Sequence, residues 1–425
     1  MNAVALLAAA ASWSAPQTVS APHTFAGPLF GSNDSRGGAL VAWGWQDDIG
    51  QAAPTGAGAV TVDRAGSVSP ERRAPAGLVA AQAYGAGRSL LLANRQIDKT
   101  GQRWRLTVTD GATTTRLATA FILFRPQLSV APDGSAIVAW VELHNRHQVV
   151  KVSTRNGRGQ FSRPVMLSTG GQHSALTTAI SRRGDVLVAF VRSRRVIARL
   201  RRPGDSWSSW RPDVLAVAHV KTTWQLAAGF DNTARAELVW RRHRLSRAGH
   251  PGSTPLRAVT AGPSARRWSR SQSLEPDGAR DPVLTPALPS GLLLSYIHGP
   301  NSAATPRVRV TGAGGHFGPA RDAAGPQGGV RSLSAIYDGA AGIVVGWIIP
   351  NPSGDGGGIG YAAAEPFGPR EQVTPNEAAF DLRLVRTANG VRAFWTARPD
   401  GTGPSVPVNQ IHTVVRTALR VPPGP

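Results

Sequence analysis

The sequence predicts an all-β protein that folds as a single β-propeller of eight four-stranded blades, with seven blades as the alternative. The first observation is a recurring apolar segment with an internal Gly-bearing turn and a large side chain at its end. Its clearest copy is Leu128-Ser-Val-Ala-Pro-Asp-Gly-Ser-Ala-Ile-Val-Ala-Trp140. The second observation is spacing, because the end points of successive copies lie 47 to 56 residues apart. Four-stranded units at such a period are typical of propellers, whereas solenoids of parallel strands repeat about every 20–30 residues.

The end point of each copy is called the anchor here. The anchors are Trp43, Ala93, Trp140, Phe190, Trp240, Tyr296, Trp347 and Trp395. The residues before them are apolar on both faces, as a strand between two packed sheets requires. We therefore expect Trp140, Trp240, Trp347 and Trp395 to be buried at equivalent places. Seven blades is the alternative because the second repeat has Ala93 where the others have a large side chain.

The rest of each repeat supplies two further strands. A β-branched stretch such as Val149-Val-Lys-Val-Ser-Thr154 is followed by an aromatic residue and a proline, as in Phe161-Ser-Arg-Pro164. Proline cannot donate a backbone hydrogen bond, so it belongs on an outer edge strand. We expect one propeller over 12–425. Its predicted blades are 21–75, 76–123, 124–170, 171–220, 221–278, 279–327, 328–376 and 377–425.

The two ends of the chain predict how the ring closes. The last repeat has three strands but no aromatic-proline strand, and an orphan copy of that strand, Trp13-Ser-Ala-Pro-Gln-Thr-Val-Ser20, stands near the N-terminus. We predict that strand 12–20 pairs with the last repeat. Residues 1–11 are apolar and end in small residues, which resembles part of a signal peptide. They are too few to span a bilayer. We therefore expect a secreted or cell-surface protein, with a cytoplasmic location as the alternative.

Composition favours some partners over others. The formal net charge is +22, and nearly all the basic residues are arginines, since the chain has three lysines. Either the partner is anionic, such as an acidic glycan or cell-envelope polymer, or arginine simply replaces lysine on an ordinary basic surface. The chain has no cysteine, which excludes disulfides and thiolate metal sites. No metal, cofactor or specific nucleic-acid motif is found, and we expect a monomer.

One segment resembles a known family. Ser153-Thr-Arg-Asn-Gly-Arg-Gly-Gln-Phe161 is similar to the Asp-box turn of sialidase-like (BNR-repeat) propellers, although Arg155 stands at the place of the aspartate and one residue is inserted. Phe124-Arg125-Pro126 is similar to the opening signature of that family. The resemblance implies a propeller fold. For a sialidase it would also imply an arginine triad, a tyrosine nucleophile paired with a glutamate, and an aspartic acid.

The tyrosines of this chain do not match that chemistry. Tyr296 is an anchor, Tyr84 and Tyr337 are predicted on first strands, and Tyr361 on a third strand. We therefore expect a non-catalytic binding or scaffolding module, with anionic glycans as the candidate ligand, and keep a divergent sialidase-like glycoside hydrolase or lyase as the alternative. A Tyr–Glu pair beneath an arginine cluster at the mouth of the channel would favour the enzyme.

The predicted ligand site is the propeller face that carries the turns after the anchors. In propellers these turns converge around the central channel. The predicted ligand-binding residues are Arg192, Arg194, Arg241, His243, Glu142, His144 and Asp47. The arginines of the fourth and fifth repeats form a basic sector, and arginine can hold carboxylate or sulfate with two hydrogen bonds. No catalytic residue is assigned.

Overall fold

The structure is a computed structural model that describes most of the chain. It leaves out residues 1–11, 24, 47–54, 86, 99, 169, 208–212, 218–221, 245–253, 266, 288–290, 340–341, 352–356, 376, 399–412 and 422–425. The described residues form strands β1 to β33 and a short 3-10 helix, Asn301–Ala303. Among them there is no helix of the length and apolarity needed to cross a membrane. The predicted all-β propeller with four-stranded blades is confirmed.

Six sheets each contain four consecutive antiparallel strands. Sheet 1 is β3 (Phe25–Asn33), β4 (Ala39–Gln46), β5 (Gly56–Val62) and β6 (Arg72–Ala74). Sheet 2 is β7 (Leu78–Tyr84), β8 (Arg88–Gln96), β9 (Trp104–Asp110) and β10 (Thr113–Ala120). Sheet 3 is β11 (Leu123–Val130), β12 (Ala136–His144), β13 (His147–Arg155) and β14 (Val165–Met166).

The other three separate sheets follow in chain order. Sheet 4 is β15 (His173–Ile180), β16 (Val186–Arg192), β17 (Arg195–Arg201) and β18 (Asp213–Val217). Sheet 5 is β19 (Thr222–Phe230), β20 (Ala236–Arg244), β21 (Leu256–Ala261) and β22 (Gln272–Glu275). Sheet 6 is β23 (Ala279–Pro286), β24 (Leu292–His298), β25 (Thr305–Val310) and β26 (Arg321–Asp322).

The remaining strands form one large sheet of nine strands. It contains β27 (Arg331–Tyr337), β28 (Ile343–Pro350), β29 (Gly358–Ala364), β30 (Glu371–Gln372), β31 (Ala379–Thr387), β32 (Gly390–Ala397), β33 (Val414–Val421), β1 (Ser12–Trp13) and β2 (Gln17–Thr18). A single residue pair, Gly358 with Ala379, joins β29 to β31. The predicted number of blades, eight or seven, is therefore wrong: six blades are separate sheets. The end of the chain forms the large sheet because strand pairing continues across that one contact.

The N-terminal strands pair with the C-terminal strand, as the orphan copy predicts. Ser12 and Trp13 of β1 lie opposite Val421 and Arg420 of β33. In β2, Gln17 and Thr18 lie opposite Thr417 and Arg416. The segment 1–11, predicted as a signal-peptide remnant, lies outside the described residues.

The first strands of successive sheets contact one another in chain order, and β31 of the large sheet contacts β3 of sheet 1. The contact between β3 and β31 is hydrogen-bonded. Asn33 exchanges two hydrogen bonds with the backbone of Arg386, and the backbone N–H of Leu29 donates to the Asp381 carboxylate at 2.8 Å. The first strands therefore form the inner ring of the propeller, which is closed by contacts between residues more than 350 positions apart.

The anchors are buried as the sequence predicts. Trp140, Trp347 and Trp395 are fully buried, and Trp240 is 3 % exposed. In sheet 3, a bulge in the first strand lies opposite Trp140, and Arg125 in this bulge has φ 53°. A left-handed conformation costs a residue other than glycine on the order of 1–3 kcal/mol. Packing around the large Trp140 ring must therefore hold the backbone of Arg125 in this conformation.

The strand order gives the propeller two faces. We call the face with the turns between second and third strands the upper face; turns 145–146 and 193–194 belong to it. The connections from each sheet to the next also reach it. The lower face carries the turns between first and second strands, such as 34–38 and 131–135, and those between third and fourth strands.

Candidate functional site

The upper face of sheets 3, 4 and 5 holds most of the predicted ligand-binding residues. Arg192 ends β16 half-buried, and Arg194 is exposed in the turn that follows. Arg241 and His243 are half-buried in β20, and His144 is exposed at the end of β12. A left-handed turn at Ser193 and Arg194 joins β16 to β17 and directs the chain back along the sheet.

Two of the predicted residues do not form part of this exposed surface. Asp47 lies outside the described residues. Glu142 is only 6 % exposed, because its carboxylate is directed into the protein, where it accepts a hydrogen bond from Trp140 Nε1 at 2.9 Å and pairs with Lys151. The prediction of Glu142 as a rim residue is therefore corrected to a buried residue that holds its own anchor.

Arg241 belongs to a contact between sheets 5 and 6. Its Nη1 donates to Gln225 Oε1 at 3.1 Å, and Gln225 Nε2 donates to Asp281 Oδ1 at 2.5 Å. Burial lowers the pKa of Arg241, while the charge of Asp281 acts in the opposite direction. This guanidinium is oriented by its neighbours before any ligand arrives, which reduces the entropy lost on binding.

Three arginines of the lower face have carboxylate partners. Arg88 and Arg155 both pair with Asp110. Arg202 pairs with Asp185 at 3.2 Å. Arg155, at the aspartate position of the Asp-box-like turn, therefore joins sheet 3 to Asp110 of sheet 2. Its role here is to connect two sheets.

A polar pocket lies where an anchor meets the last strand of the preceding sheet. We call it the anchor pocket of the sheet that holds the anchor. In sheet 6, the fully buried Tyr296 donates its O–H to Glu275 at 2.5 Å. Arg309 donates to the same carboxylate at 3.1 Å and to the Tyr296 oxygen at 3.1 Å. Arg307, opposite Tyr296 on β25, lies 3.5 Å from Glu275.

The same arrangement recurs in the large sheet. Trp395 Nε1 donates to Glu377 at 2.7 Å, and Arg416, opposite Trp395 on β33, pairs with Glu377 at 2.8 Å. Trp347 and Arg370 share the Gln327 oxygen, at 3.2 and 2.6 Å. In each case a polar ring atom and a cation are satisfied by one acidic or amide side chain, as buried polar groups require.

The Tyr296–Glu275 pair resembles the pair that would favour a sialidase-like enzyme, but it occupies a structural position. It lies between the second strand of sheet 6 and the last strand of sheet 5, away from the inner ring. Burial and the hydrogen bond to Glu275 raise the pKa of Tyr296 above its ordinary value. Burial also works to raise the pKa of Glu275, but hydrogen bonds from Tyr296 and Arg309 hold it below its ordinary value. A buried phenol with a raised pKa is a weak nucleophile.

The anchor pocket of sheet 4 lacks the acidic side chain. Its anchor is Phe190, which has no polar ring atom. Ser168 stands at the position equivalent to Glu275, because each residue directly follows a buried leucine, Leu167 or Leu274, at the end of the preceding sheet. A cavity of about 200 Å³ lies here. Its lining residues are Met166, Leu167, Ser168, Phe190, Arg192, Ile197 and Arg199.

Arg199 is the residue equivalent to Arg309. Arg199 lies opposite Val188, two residues before the anchor Phe190, and Arg309 lies opposite Leu294, two residues before the anchor Tyr296. Arg199 Nη1 donates to the Trp207 carbonyl at 3.2 Å, whereas its buried Nε has no partner among the described residues. Burial lowers the pKa of Arg199, and the charge of Arg192 lowers it further.

The anchor pocket of sheet 5 shows the same combination. A cavity of about 300 Å³ beside Trp240 is lined by Arg242 and Arg257, and no carboxylate is among its lining residues. Arg257 lies opposite Trp240 as Arg307 lies opposite Tyr296. Sheets 4 and 5 therefore have anchor pockets that contain arginines without a carboxylate among the lining residues. In sheet 6 and the large sheet, a glutamate or glutamine side chain accepts the hydrogen bonds of the anchor and the arginine.

Sequence reasoning located the basic sector but missed Arg199, Ser168 and Arg257. The run Arg192–Arg202 contains no aromatic residue on which the bases of a single-stranded nucleic acid could stack. Arg199 follows its anchor by nine residues and Arg309 follows its anchor by thirteen, so only the register of the paired strands aligns the two arginines. The described residues include no group of three or more His, Asp or Glu side chains placed to hold a metal ion.

Comparison with known proteins shows the fold alone. An ulvan lyase of polysaccharide lyase family PL25, bound to -[GlcA(1-4)Rha3S]-, matches with TM-score 0.50 and 9% identity over 95% of this chain and 94% of that chain. A protein of unknown function from Dyadobacter fermentans DSM 18053 gives TM-score 0.47, 10% identity and coverage of 97% and 99%. The polysaccharide lyase Uly1 gives TM-score 0.48, 7% identity and coverage of 97% and 92%. No protein-family model and no curated protein sequence matches the chain.

Proposed function

We propose that this propeller is a non-catalytic module that binds an anionic polysaccharide on the upper face of sheets 3, 4 and 5. The proposed contact residues are Arg192, Arg194, Arg241 and His243. An acidic glycan or cell-envelope polymer is the ligand class that such a surface suits. A polysaccharide is also what the ulvan lyase of similar fold binds.

The observation that carries the proposal is the concentration of arginines in three upper-face segments. In the upper-face segments 142–147, 192–195 and 241–243, Glu142 is the only acidic residue, and it is buried against Lys151. The same segments contain six arginines. On the lower face, by contrast, Asp110 and Asp185 pair with the arginines around them. A surface rich in arginine attracts polyanions, and guanidinium groups hold carboxylates bidentately.

The test is binding of polygalacturonate to the full-length protein, with dextran as the uncharged control, at low and high salt. We expect polygalacturonate alone to bind, more weakly as salt screens the charges. Arg194→Ala with Arg195→Ala removes two exposed upper-face arginines and should weaken binding. The matched control is Arg36→Ala with Arg158→Ala, which removes two exposed arginines from the lower face.

Two outcomes would contradict the proposal. Equal losses from the two double variants would reduce the effect to general surface charge. Equal binding of dextran and polygalacturonate would remove the role of the arginines. The second candidate is a divergent glycoside hydrolase or lyase, and the Tyr296–Glu275 pair does not support it because both side chains are buried in an anchor pocket.

The proposed ligand implies a location. We propose that the protein acts as a monomer that is secreted or held at the cell surface, where acidic polymers are found. Fractionation of cells that express the intact gene tests the location, and recovery in the cytoplasm alone would favour an intracellular scaffold instead.

A further inference from the structure

The anchor pockets suggest a specific binding site because they are versions of one arrangement. In sheet 6, the Glu275 carboxylate sits between the anchor ring and the Arg309 guanidinium. In sheet 4, the guanidinium is kept as Arg199, but serine replaces the glutamate and phenylalanine replaces the tyrosine. The donor that would hold a carboxylate is therefore present without the carboxylate.

The charges in the sheet 4 pocket are costly as they stand. Arg192 and Arg199 line the same cavity of about 200 Å³, and burial together with the charge of Arg192 lowers the pKa of Arg199. Arg199 Nε is buried without a partner among the described residues, and an unsatisfied donor next to a buried charge is unfavourable. An anion in the cavity would offset both effects.

The volume and the lining of the pocket fit a carboxylate group. Its volume is well above the share of roughly 30 Å³ that one water molecule occupies in the liquid, so a carboxylate and its attached carbon atoms have room. Phe190, Leu167 and Ile197 supply an apolar wall, while Ser168 and the two arginines supply the polar side. This mixture suits a carboxylate carried on a carbon skeleton.

We propose that the sheet 4 anchor pocket binds one carboxylate group of an acidic ligand, which takes the place that the Glu275 side chain has beside Tyr296. Arg199 is the main ligand-binding residue and Arg192 the second. The inference that this carboxylate belongs to a polysaccharide rests on the proposed function. The inference that the pocket binds a carboxylate is independent of the proposed function.

The experiment titrates the full-length protein with sodium glucuronate by isothermal calorimetry, with glucose as the neutral analogue and sulfate as a second anion. We expect glucuronate to bind and glucose not to. Arg199→Gln should weaken glucuronate by about tenfold to a hundredfold, the usual effect of losing a hydrogen bond to a charged group. Arg201→Gln is the matched control, since Arg201 lies on the same strand, is half-buried and does not line this cavity.

A second variant places a carboxylate of the protein itself in the sheet 4 anchor pocket. Ser168→Glu places a carboxylate where sheet 6 has Glu275, and we expect it to abolish glucuronate binding and to raise the thermal midpoint. If this variant fails to fold, as judged by circular dichroism, Arg199→Gln still decides the question. Glucuronate binding that survives Arg199→Gln would overturn the proposal, and so would sulfate binding more tightly than glucuronate.

The two proposals fail in different ways. If polygalacturonate binding depends on Arg194 and Arg195 but not on Arg199, the proposed function stands and the pocket is refuted. If glucuronate binds through Arg199 but polygalacturonate does not bind, the carboxylate site is supported and the proposed polysaccharide-binding function is refuted.

Discussion

Glu237 gives the protein a pH dependence that can be worked out from its position. It lies on β20 opposite Thr260 and is only 1 % exposed. Burial raises the pKa of Glu237 to about 8, with smaller opposing contributions from Thr260 and Arg235. Because this pKa is higher than in the unfolded chain, folding is favoured when the carboxyl is protonated. The folded protein has the full stabilisation from protonated Glu237 below about pH 4.5, and it loses this stabilisation as the pH rises through about 8.

The size of the effect follows from the shift. The pKa rises from 4.5 to about 8. At about 1.4 kcal/mol per unit, the free energy of unfolding should fall by on the order of 5 kcal/mol through this one group. Glu237→Gln keeps the shape of the protonated side chain and cannot ionise. The variant should therefore match the parent in acid and exceed it in stability in alkali.

The assay is urea unfolding of both proteins at about pH 5, 7 and 9, with the difference in free energy of unfolding plotted against pH. Glu275→Gln is the control, and its difference from the parent should stay constant across this pH range. Because the pKa of Glu275 is lowered, its stabilisation is present above the unfolded pKa and is lost as the pH falls. A difference between Glu237→Gln and the parent that stays constant from acid to alkali would refute the reasoning.

Three further predictions concern stability. Trp140→Ala should cost roughly 3–5 kcal/mol, because a fully buried ring is replaced by a cavity, and an unchanged thermal midpoint would contradict the packing. Tyr296→Phe should cost about 1–3 kcal/mol by leaving the Glu275 carboxylate without its O–H donor, with no change in polygalacturonate binding. Lost binding at unchanged stability would instead give the phenol a functional role. Removal of residues 1–20 should lower the thermal midpoint because β33 loses its partners, and an equal midpoint would mean that closure contributes no stability.

Much of the architecture could be predicted from local sequence. The period of about fifty residues predicts four-stranded units because strand and turn patterns are set by neighbouring residues. The orphan strand 12–20 predicts the pairing with β33. The anchors Trp140, Trp347 and Trp395 are recognisable because a large residue at the end of a strand that is apolar on both faces has to be buried.

The sequence alone determined a propeller with a basic sector on one face, since strand period and charge are properties of the chain itself. Only the tertiary structure decided which charges are available to a ligand. It turned Glu142 inward to Trp140, merged the last strands into one sheet through Gly358 and Ala379, and placed Ser168 and Arg199 on the same cavity. These outcomes depend on how neighbouring sheets pack, and that packing is set by register and side-chain size across residues distant in the chain.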